Sequence, residues 1–419
     1  MADHPAPSRR PYVLILLLAG ALRVAWAAAV PVVPISDCNV YDTSARTLAA
    51  FNIYGYEPEQ PWAYWPVGAP FAYSLAYRAF DPDRFGHIPI AAFNAALGVF
   101  MVGLGMACAH RWFGRAPAIV TGLILALWPT HIQFTTIIAS ETLFIDLVLA
   151  GLLAWPERLS LGRFVLTGCC FAAASYVRPT ALLIPLALAA ARWLRAPRFK
   201  EIPGTVAGLA IILLVMGIAI APWAARNRRL FGQVVLISTN GGSNLWMGNS
   251  PGTTGEYKPP PAIPGLNEAQ QDAEYGRQAR QFILEHPVSF IGRTAIKAAR
   301  LHAAETIGVA WNIESLRKLA PSLFPDEKAP AVLALKLIDT AYWVGVLGLG
   351  CAGAVLRMRR TSFWQVLTHP AFVIWAYFTA IHAVIVIQDR YHLPSTPMIA
   401  SFASLTLLAL DQRMRKPAA

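Results

Sequence analysis

Few side chains in this 419-residue sequence could manage protons or phosphate, and their placement narrows the field further. Asp37 stands in Ile35-Ser36-Asp37-Cys38-Asn39-Val40-Tyr41-Asp42, just beyond a long apolar run. A carboxylate at such a helix–loop boundary, walled by aromatic residues, can act as a general base. It serves equally as the turn or N-cap residue of a helix over 39–50, and spacing alone favours that role. Glu141 and Asp146 share the run Ala139-Ser140-Glu141-Thr142-Leu143-Phe144-Ile145-Asp146. An ionisable group costs about 3 kcal/mol at a bilayer centre, so each demands a function or a partner. Glu141, near the run's boundary, either meets substrate or caps the helix that begins there. Asp146 lies about 7 Å deeper at ~1.5 Å per residue and is expected to pair with an Arg or an interhelical donor.

Two basic residues complete the set. Arg178, in Tyr176-Val177-Arg178-Pro179-Thr180, and Arg390, in Gln388-Asp389-Arg390-Tyr391-His392-Leu393-Pro394, both stand at the ends of apolar runs. A guanidinium at headgroup depth can fork onto phosphate, or it can simply snorkel at the interface. Arg23 is mid-run and is expected to find its partner within the helix bundle. His131, His382 and His392 show no ligand spacing such as His-x-x-x-His, so no metal site is expected and they read as polar core residues. The chain has no Walker motif, no GxGxxG after a strand and no nucleophile elbow. Nucleotide-dependent and covalent chemistry thus lack visible machinery, and no cofactor is expected.

The elements that must position these residues are membrane helices. Hydrophobic residues make up 56% of the chain and charged ones 14%, against about 25% charged in a soluble domain. Thirteen Trp, 20 Phe and 13 Tyr exclude a disordered chain, and five Cys are too few for a disulfide scaffold. Only Cys38 falls in an outer segment, so no structural disulfide is expected. The net charge of +12 is concentrated in short Arg-bearing segments. These hold Arg9, Arg10, Arg111, Arg115, Arg158, Arg163, Arg192, Arg195, Arg198, Lys200, Arg357, Arg359, Arg360, Arg413, Arg415 and Lys416 against Asp3, Glu157, Glu201 and Asp411. That is the positive-inside asymmetry of an inner-membrane protein, and it removes any need for a nucleic-acid partner.

Apolar runs over 12–33, 87–109, 117–136, 137–155, 164–177, 179–193, 203–225, 331–356, 363–387 and 391–410 suggest about ten transmembrane helices with both termini cytoplasmic. The first is too long for a signal peptide and carries Arg23, so it reads as a retained helix. The fold class is all-α polytopic membrane protein, in three parts. Residues 1–225 form an N-terminal transmembrane module with a first outer loop over 34–86. Residues 226–330 form a large outer segment, and 331–419 the last transmembrane helices. The outer segment is expected to open with a minor β run over 234–238 and a turn over 239–244. A helix capped by Asn267 and Gln270 follows. Residues 287–302 make an amphipathic helix with Arg293, Lys297 and Arg300 off its apolar face, suited to the membrane surface.

In this order the features resemble the GT-C class of polytopic glycosyltransferases, most nearly glycosyltransferase family 39, which includes protein O-mannosyltransferases and the aminoarabinose transferase of lipid A. The resemblance rests on Leu22-Arg23-Val24, Ser36-Asp37 with Tyr41 and Ala45, Tyr64-Trp65-Pro66-Val67-Gly68, Ser140-Glu141-Thr142 and Tyr176-Val177-Arg178-Pro179-Thr180. It continues through Ala221-Pro222-Trp223, Arg226-Asn227, Ser238 to Trp246, and Arg390-Tyr391. It implies a polyprenyl-phosphate-linked sugar as donor and a site on the outer face, with Asp37 as the catalytic residue. Tyr41, Glu141, Arg178, Asn244, Arg390 and Tyr391 are the implied substrate contacts. Inverting hexosyl or pentosyl transfer is expected, and a divalent metal is not required because no diphosphate has to be neutralised. The mannosyltransferase branch has Asp-Glu where this chain has Asp37-Cys38, which shifts the expectation to a bacterial lipid, glycan or polymer modifier. A transporter or flippase of an envelope glycolipid is the competing reading. It suits Arg23, Asp146 and the proline-interrupted helices, but there is no internal repeat and the polar candidates cluster at one interface.

Overall fold

The computed structural model describes residues 8–157, 160–195 and 202–415. Of the charges named above, Asp3, Arg158, Arg198, Lys200, Glu201 and Lys416 lie outside the described residues. The apolar runs fold as helices, because a segment without water around it must close its own backbone hydrogen bonds. In chain order the principal helices are α1 (Arg10–Ala29), α2 (Asp37–Phe51), α3 (Gly68–Ala79), α4 (Ile88–Phe113), α5 (Arg115–Ala126), α6 (Glu141–Ala154), α7 (Leu161–Val177) and α8 (Ile184–Arg195). They continue as α9 (Ile202–Phe231), α10 (Gly241–Asn249), α11 (Glu268–Glu285), α12 (Pro287–Leu301), α13 (Pro330–Arg360), α14 (Pro370–Val384) and α15 (Thr396–Met414).

Five helices are long and apolar enough to cross a membrane singly: α1, α4, α9, α13 and the run Asp389–Met414, where a 3-10 turn over Asp389–Ser395 leads into α15. A sixth is the bent pair of α5 and Pro129–Thr136, which meet at 59°. The break falls at Trp128, whose backbone is extended because Pro129 follows it. The ten expected spans thus become five full-length helices, one bent pair and four shorter helices. The short ones are α6, α7, α8 and α14, of 14, 17, 12 and 15 residues. Leu14, Leu17 and Val24 leave α1 with an exposed apolar flank, a surface that lipid covers and water does not. The protein is a multi-pass membrane protein.

Packing joins segments distant in sequence. α13 lies along α15, α4 along α5, and α7 contacts both α6 and α9. Phe144, Phe171, Trp343 and Phe402 are fully buried between them. Arg23 is buried too; its Nη1 donates to Ala19 O at 3.1 Å, and its stem lies where a Cβ on Gly98 would sit, 2.2 Å from Nε. Asp146 is buried without the expected donor, and neither of its carboxylate oxygens has a hydrogen-bond partner among the described residues.

Two expectations for the outer segment fail. Residues 234–238 form no strand, and among the described residues the only β pairing is an isolated bridge between Gly55 and Pro61. With no strand alongside, side chains of α9 take the segment's carbonyls. Asn227 Nδ2 donates to Val235 O at 3.1 Å and Trp223 Nε1 to Ile237 O at 2.8 Å. The turn expected over 239–244 instead starts α10. Asn267 and Gln270 do form a reciprocal capping box at the head of α11. α9 runs on to Phe231, past the boundary expected at residue 225. α12 exposes Val288, Ile291 and Ile296 as an amphipathic helix should, yet its Lys297 is buried. That ammonium donates to Gly248 O, Val384 O and Ile385 O at 3.2, 3.1 and 2.7 Å, tying α10 and the end of α14 to α12. Desolvation, with Arg293 adding to it, lowers the Lys297 pKa to about 8.

Candidate active site

Each predicted residue is delivered by a helix end. Past α1 the chain turns through Ser36, whose φ of 48° and ψ of −128° is a conformation that favours glycine, and Asp37 then opens α2. Asp37 is therefore the first helical residue rather than a cap for 39–50. Ser140 precedes α6 and Glu141 begins it. α7 stops at Val177 because Pro179 forces Arg178 into extended backbone. Arg390 and Tyr391 lie in the 3-10 turn that leads into α15.

These ends converge. Arg390 Nη2 donates to Asp37 Oδ2 at 2.6 Å, and Arg390 Nη1 is 3.6 Å from Glu141 Oε1. Arg178 donates from Nη2 to the same Glu141 oxygen and from Nε to Ser140 Oγ at 2.9 Å. Tyr41 OH donates to Ser140 Oγ at 3.4 Å. Burial, with Glu141 adding to it, holds the Tyr41 phenol well above its ordinary pKa, so it stays a neutral donor. Tyr391 is faced by both guanidinium groups, at 5.6 Å from Arg178 and 5.3 Å from Arg390, and it stacks on His382. Arg390 also lies 4.2 Å over the ring of Trp311. Asp37, Tyr41, Glu141, Arg178, Arg390 and Tyr391 thus form one cluster. Asn244 does not join it; it sits in the first turn of α10 and makes no side-chain hydrogen bond to these residues.

The cluster balances two carboxylates against two guanidinium groups, as buried charge requires. Access separates the carboxylates. The Glu141 side chain is 1% exposed, with one oxygen shared between two arginines, whereas that of Asp37 is 19% exposed. Asp37 lines a cavity of about 660 Å³ together with Ser36, Tyr257, Arg300, Trp311 and Gln388. Its Oδ1 carries no protein hydrogen bond among the described residues. Arg390 Nε is buried and also lacks a partner there. The neighbouring Cys38 thiol is pushed far up by burial and by Asp37, which leaves it protonated and inert.

The turn bearing Arg390 is fixed on both sides. Asp389 Oδ2 accepts from Thr306 N and Thr306 Oγ1, both at 2.8 Å. His392 bridges Leu301 O at 2.9 Å and Glu305 Oε2 at 2.7 Å, and Trp128 Nε1 donates to the other Glu305 oxygen at 2.7 Å. α2 is pinned separately by Asp42, which accepts from Tyr77 OH and from Arg46 Nε at 3.0 Å and meets His87 Nε2 at 3.1 Å. Burial raises the Asp42 carboxyl, but the bonds to His87 and Tyr77 outweigh it and leave the pKa below its ordinary value. Tyr257, Trp311 and Glu305 carry no signal in the sequence, Arg300 reads there only as part of the polar face of 287–302 and His392 only as a polar core residue, and no spacing relates any of them to Asp37. Among the described residues no three His, Cys, Asp or Glu side chains gather as a metal-ligand group.

No protein-family model matches this sequence, and no curated protein matches it. Solved structures do match. The oligosaccharyltransferase AglB from Archaeoglobus fulgidus, in complex with an inhibitory peptide and a dolichol-phosphate, aligns at a TM-score of 0.59 and 12% identity. That alignment covers 97% of this chain and 50% of AglB, so the chain spans about half the length of that relative. ArnT from Cupriavidus metallidurans, bound to undecaprenyl phosphate, aligns at 0.50 and 14% identity over 96% of this chain and 77% of ArnT. At such identities the likeness is one of fold. This chain has the fold of the GT-C membrane glycosyltransferases.

Proposed function

We propose that this protein is a membrane glycosyltransferase of the family 39 type. It would move a sugar from a polyprenyl-phosphate donor to a lipid, glycan or protein acceptor at the outer face of the inner membrane. One observation carries the reading: of the two carboxylates that share the Arg178–Arg390 cluster, Asp37 alone lines a cavity, at one end of an apolar helix bundle. In the reaction Asp37 Oδ1 takes the proton of the acceptor hydroxyl as the acceptor oxygen bonds to the anomeric carbon. The bond from that carbon to the phosphate oxygen breaks, its electron pair goes to the oxygen, and polyprenyl phosphate leaves with one more negative charge. Arg390 and Arg178 stabilise that charge as it develops. One base and one displacement give inversion. An apolar cavity of about 860 Å³, lined by Phe71, Leu143, Leu147, Tyr176, Val177 and Trp223, adjoins the approach to Arg178 and suits the isoprenoid chain.

The same reading places ten helical segments across the bilayer, both termini and the Arg-rich segments inside, and 34–86 with 226–330 outside. A glycolipid transporter is favoured by one observation only, the buried Arg23 and Asp146 that make no direct ion pair. Purified protein given an undecaprenyl-phosphate sugar should release undecaprenyl phosphate by transfer or hydrolysis. Uptake into proteoliposomes without release would overturn the enzyme and establish the transporter.

A further inference from the structure

A second polar cavity, of about 420 Å³, lies at the opposite end of α6, one helix length or about 20 Å from Glu141 at ~1.5 Å per residue. Among the described residues four arginines line it: Arg111, Arg192, Arg195 and Arg357. Two of them are spent on the protein. Arg111 donates to Leu152 O, Leu153 O and Trp155 O at 3.2, 2.8 and 2.8 Å, and Arg192 donates to Pro156 O and Glu157 O at 2.7 and 3.0 Å. They cap the carbonyl end of α6, where cations belong. Arg357 is not spent; its side chain donates no hydrogen bond to a described residue, and it only faces the Phe113 ring at 5.8 Å. His369, 7% exposed and also lining the cavity, accepts from Ala371 N on Nδ1, so Nε2 carries its proton. No protein acceptor for that proton is present among the described residues. Arg195 and Arg357 both act electrostatically on His369. Among the described residues the only acidic one in the lining, Glu157, is already paired with Arg111 at 3.1 Å.

We propose that this cavity binds the phosphate of an anionic phospholipid in the leaflet opposite the Asp37 site. An excess of guanidinium groups and an imidazole N–H without a protein acceptor select an anion, and the Arg fork suits phosphate. Trp112 and Trp155 in the wall place the cavity at headgroup depth. Arg357 also lines an adjoining cavity of about 300 Å³ whose walls include Leu356, Leu405 and Leu408, a path for an acyl chain. The bound lipid would join the ends of α6, α8, α13 and α14, and so brace the helix that carries Glu141. The inference is independent of the proposed sugar transfer.

The test uses the full-length protein in a zwitterionic detergent, with phosphatidylglycerol, phosphatidylcholine of the same chains, and inorganic phosphate as probes. Bound lipid is counted by native mass spectrometry and melting temperature is followed alongside. Wild type should retain phosphatidylglycerol over phosphatidylcholine and melt higher with it. Arg195→Gln and Arg357→Gln should each cut retention about fivefold, while Arg413→Gln on α15 should leave it unchanged. Equal loss in Arg413→Gln, or full retention in the Arg195→Gln/Arg357→Gln double variant, would overturn the site. Stabilisation of wild type by inorganic phosphate without retention of phosphatidylglycerol would assign the donors to a free anion and overturn the lipid. That arm needs no variant to fold.

Discussion

Asp37 and Glu141 are the same functional group in different surroundings, and under the proposed function those surroundings set different roles. Glu141 is enclosed and serves two arginines, so it holds the cation pair together; Asp37 has one oxygen on Arg390 and one open to the cavity. Asp37→Asn keeps an oxygen for Arg390, so donor binding should persist while turnover falls by the ~10²–10⁴-fold typical of a lost general base. Asp37→Glu should also be impaired, since one more methylene displaces the carboxylate. Near-normal turnover in Asp37→Asn, measured with a saturating donor, would move the base elsewhere. Arg390 tests the phosphate end. Lys keeps the charge without the fork, so Arg390→Lys should weaken undecaprenyl-phosphate binding in part and Arg390→Ala severely, with Arg178→Ala adding to the loss. Unchanged affinity in all of these variants would reduce both arginines to interfacial anchors.

Helices hold these groups in place through contacts that tolerate little change. α3 begins where Gly68 meets the end of α7: a Cβ there would stand 2.6 Å from Tyr176 C and 2.7 Å from its carbonyl oxygen. Backbone cannot yield as a flexible side chain can, so Gly68→Ala should separate α3 from the segment that leads into Arg178. A loss of about 1–3 kcal/mol is expected, read as a lower melting temperature together with reduced turnover. α2 depends instead on the Asp42 cluster. The folded pKa of Asp42 lies below its ordinary value of 3.8, so its contribution is complete above that pH and is lost as pH falls through the lower folded value. The melting-temperature gap between wild type and Asp42→Asn should therefore be widest above about pH 4 and close in stronger acid. A gap that widened in acid would mean that another group pins α2.

At the scale of the whole molecule, the proposed topology rests on charge and apolar surface. The polar cluster lies at one end of α6 and the arginine-lined cavity at the other, which fits an outer site opposite an inner, basic face. The topology is tested by cysteine substitution at Glu59 and Thr254, both exposed, in a background lacking the native cysteines. Gly55 would be a poor choice for a probe, because a Cβ there would lie 2.5 Å from Gln60 O. Both positions should react with an impermeant reagent in intact cells. Reaction at one alone would break the common outer compartment.

The helices, the membrane class and most of the cluster were legible in the sequence because they follow from local properties. Apolar length marks a helix, proline marks its end, and a charged residue at such an end is conspicuous whatever the chain does elsewhere. Asp37, Arg178 and Arg390 were found in that way, and so was the capping box at Asn267. What local patterns could not decide depended on partners far along the chain. Val234 to Ser238 read as a strand, but a strand needs a neighbour, and α9 side chains took its carbonyls instead. Lys297 read as part of a polar face, yet two helix ends with unsatisfied carbonyls drew it inward. Asn244 belonged to a motif in the sequence but makes no side-chain hydrogen bond to the cluster. The pairing of Asp37 with Arg390, 353 residues away, and the presence of Tyr257, Arg300 and Trp311 in the cavity wall came only from tertiary structure. So did the difference in access between Asp37 and Glu141, because solvent access belongs to the packed bundle and to no stretch of sequence.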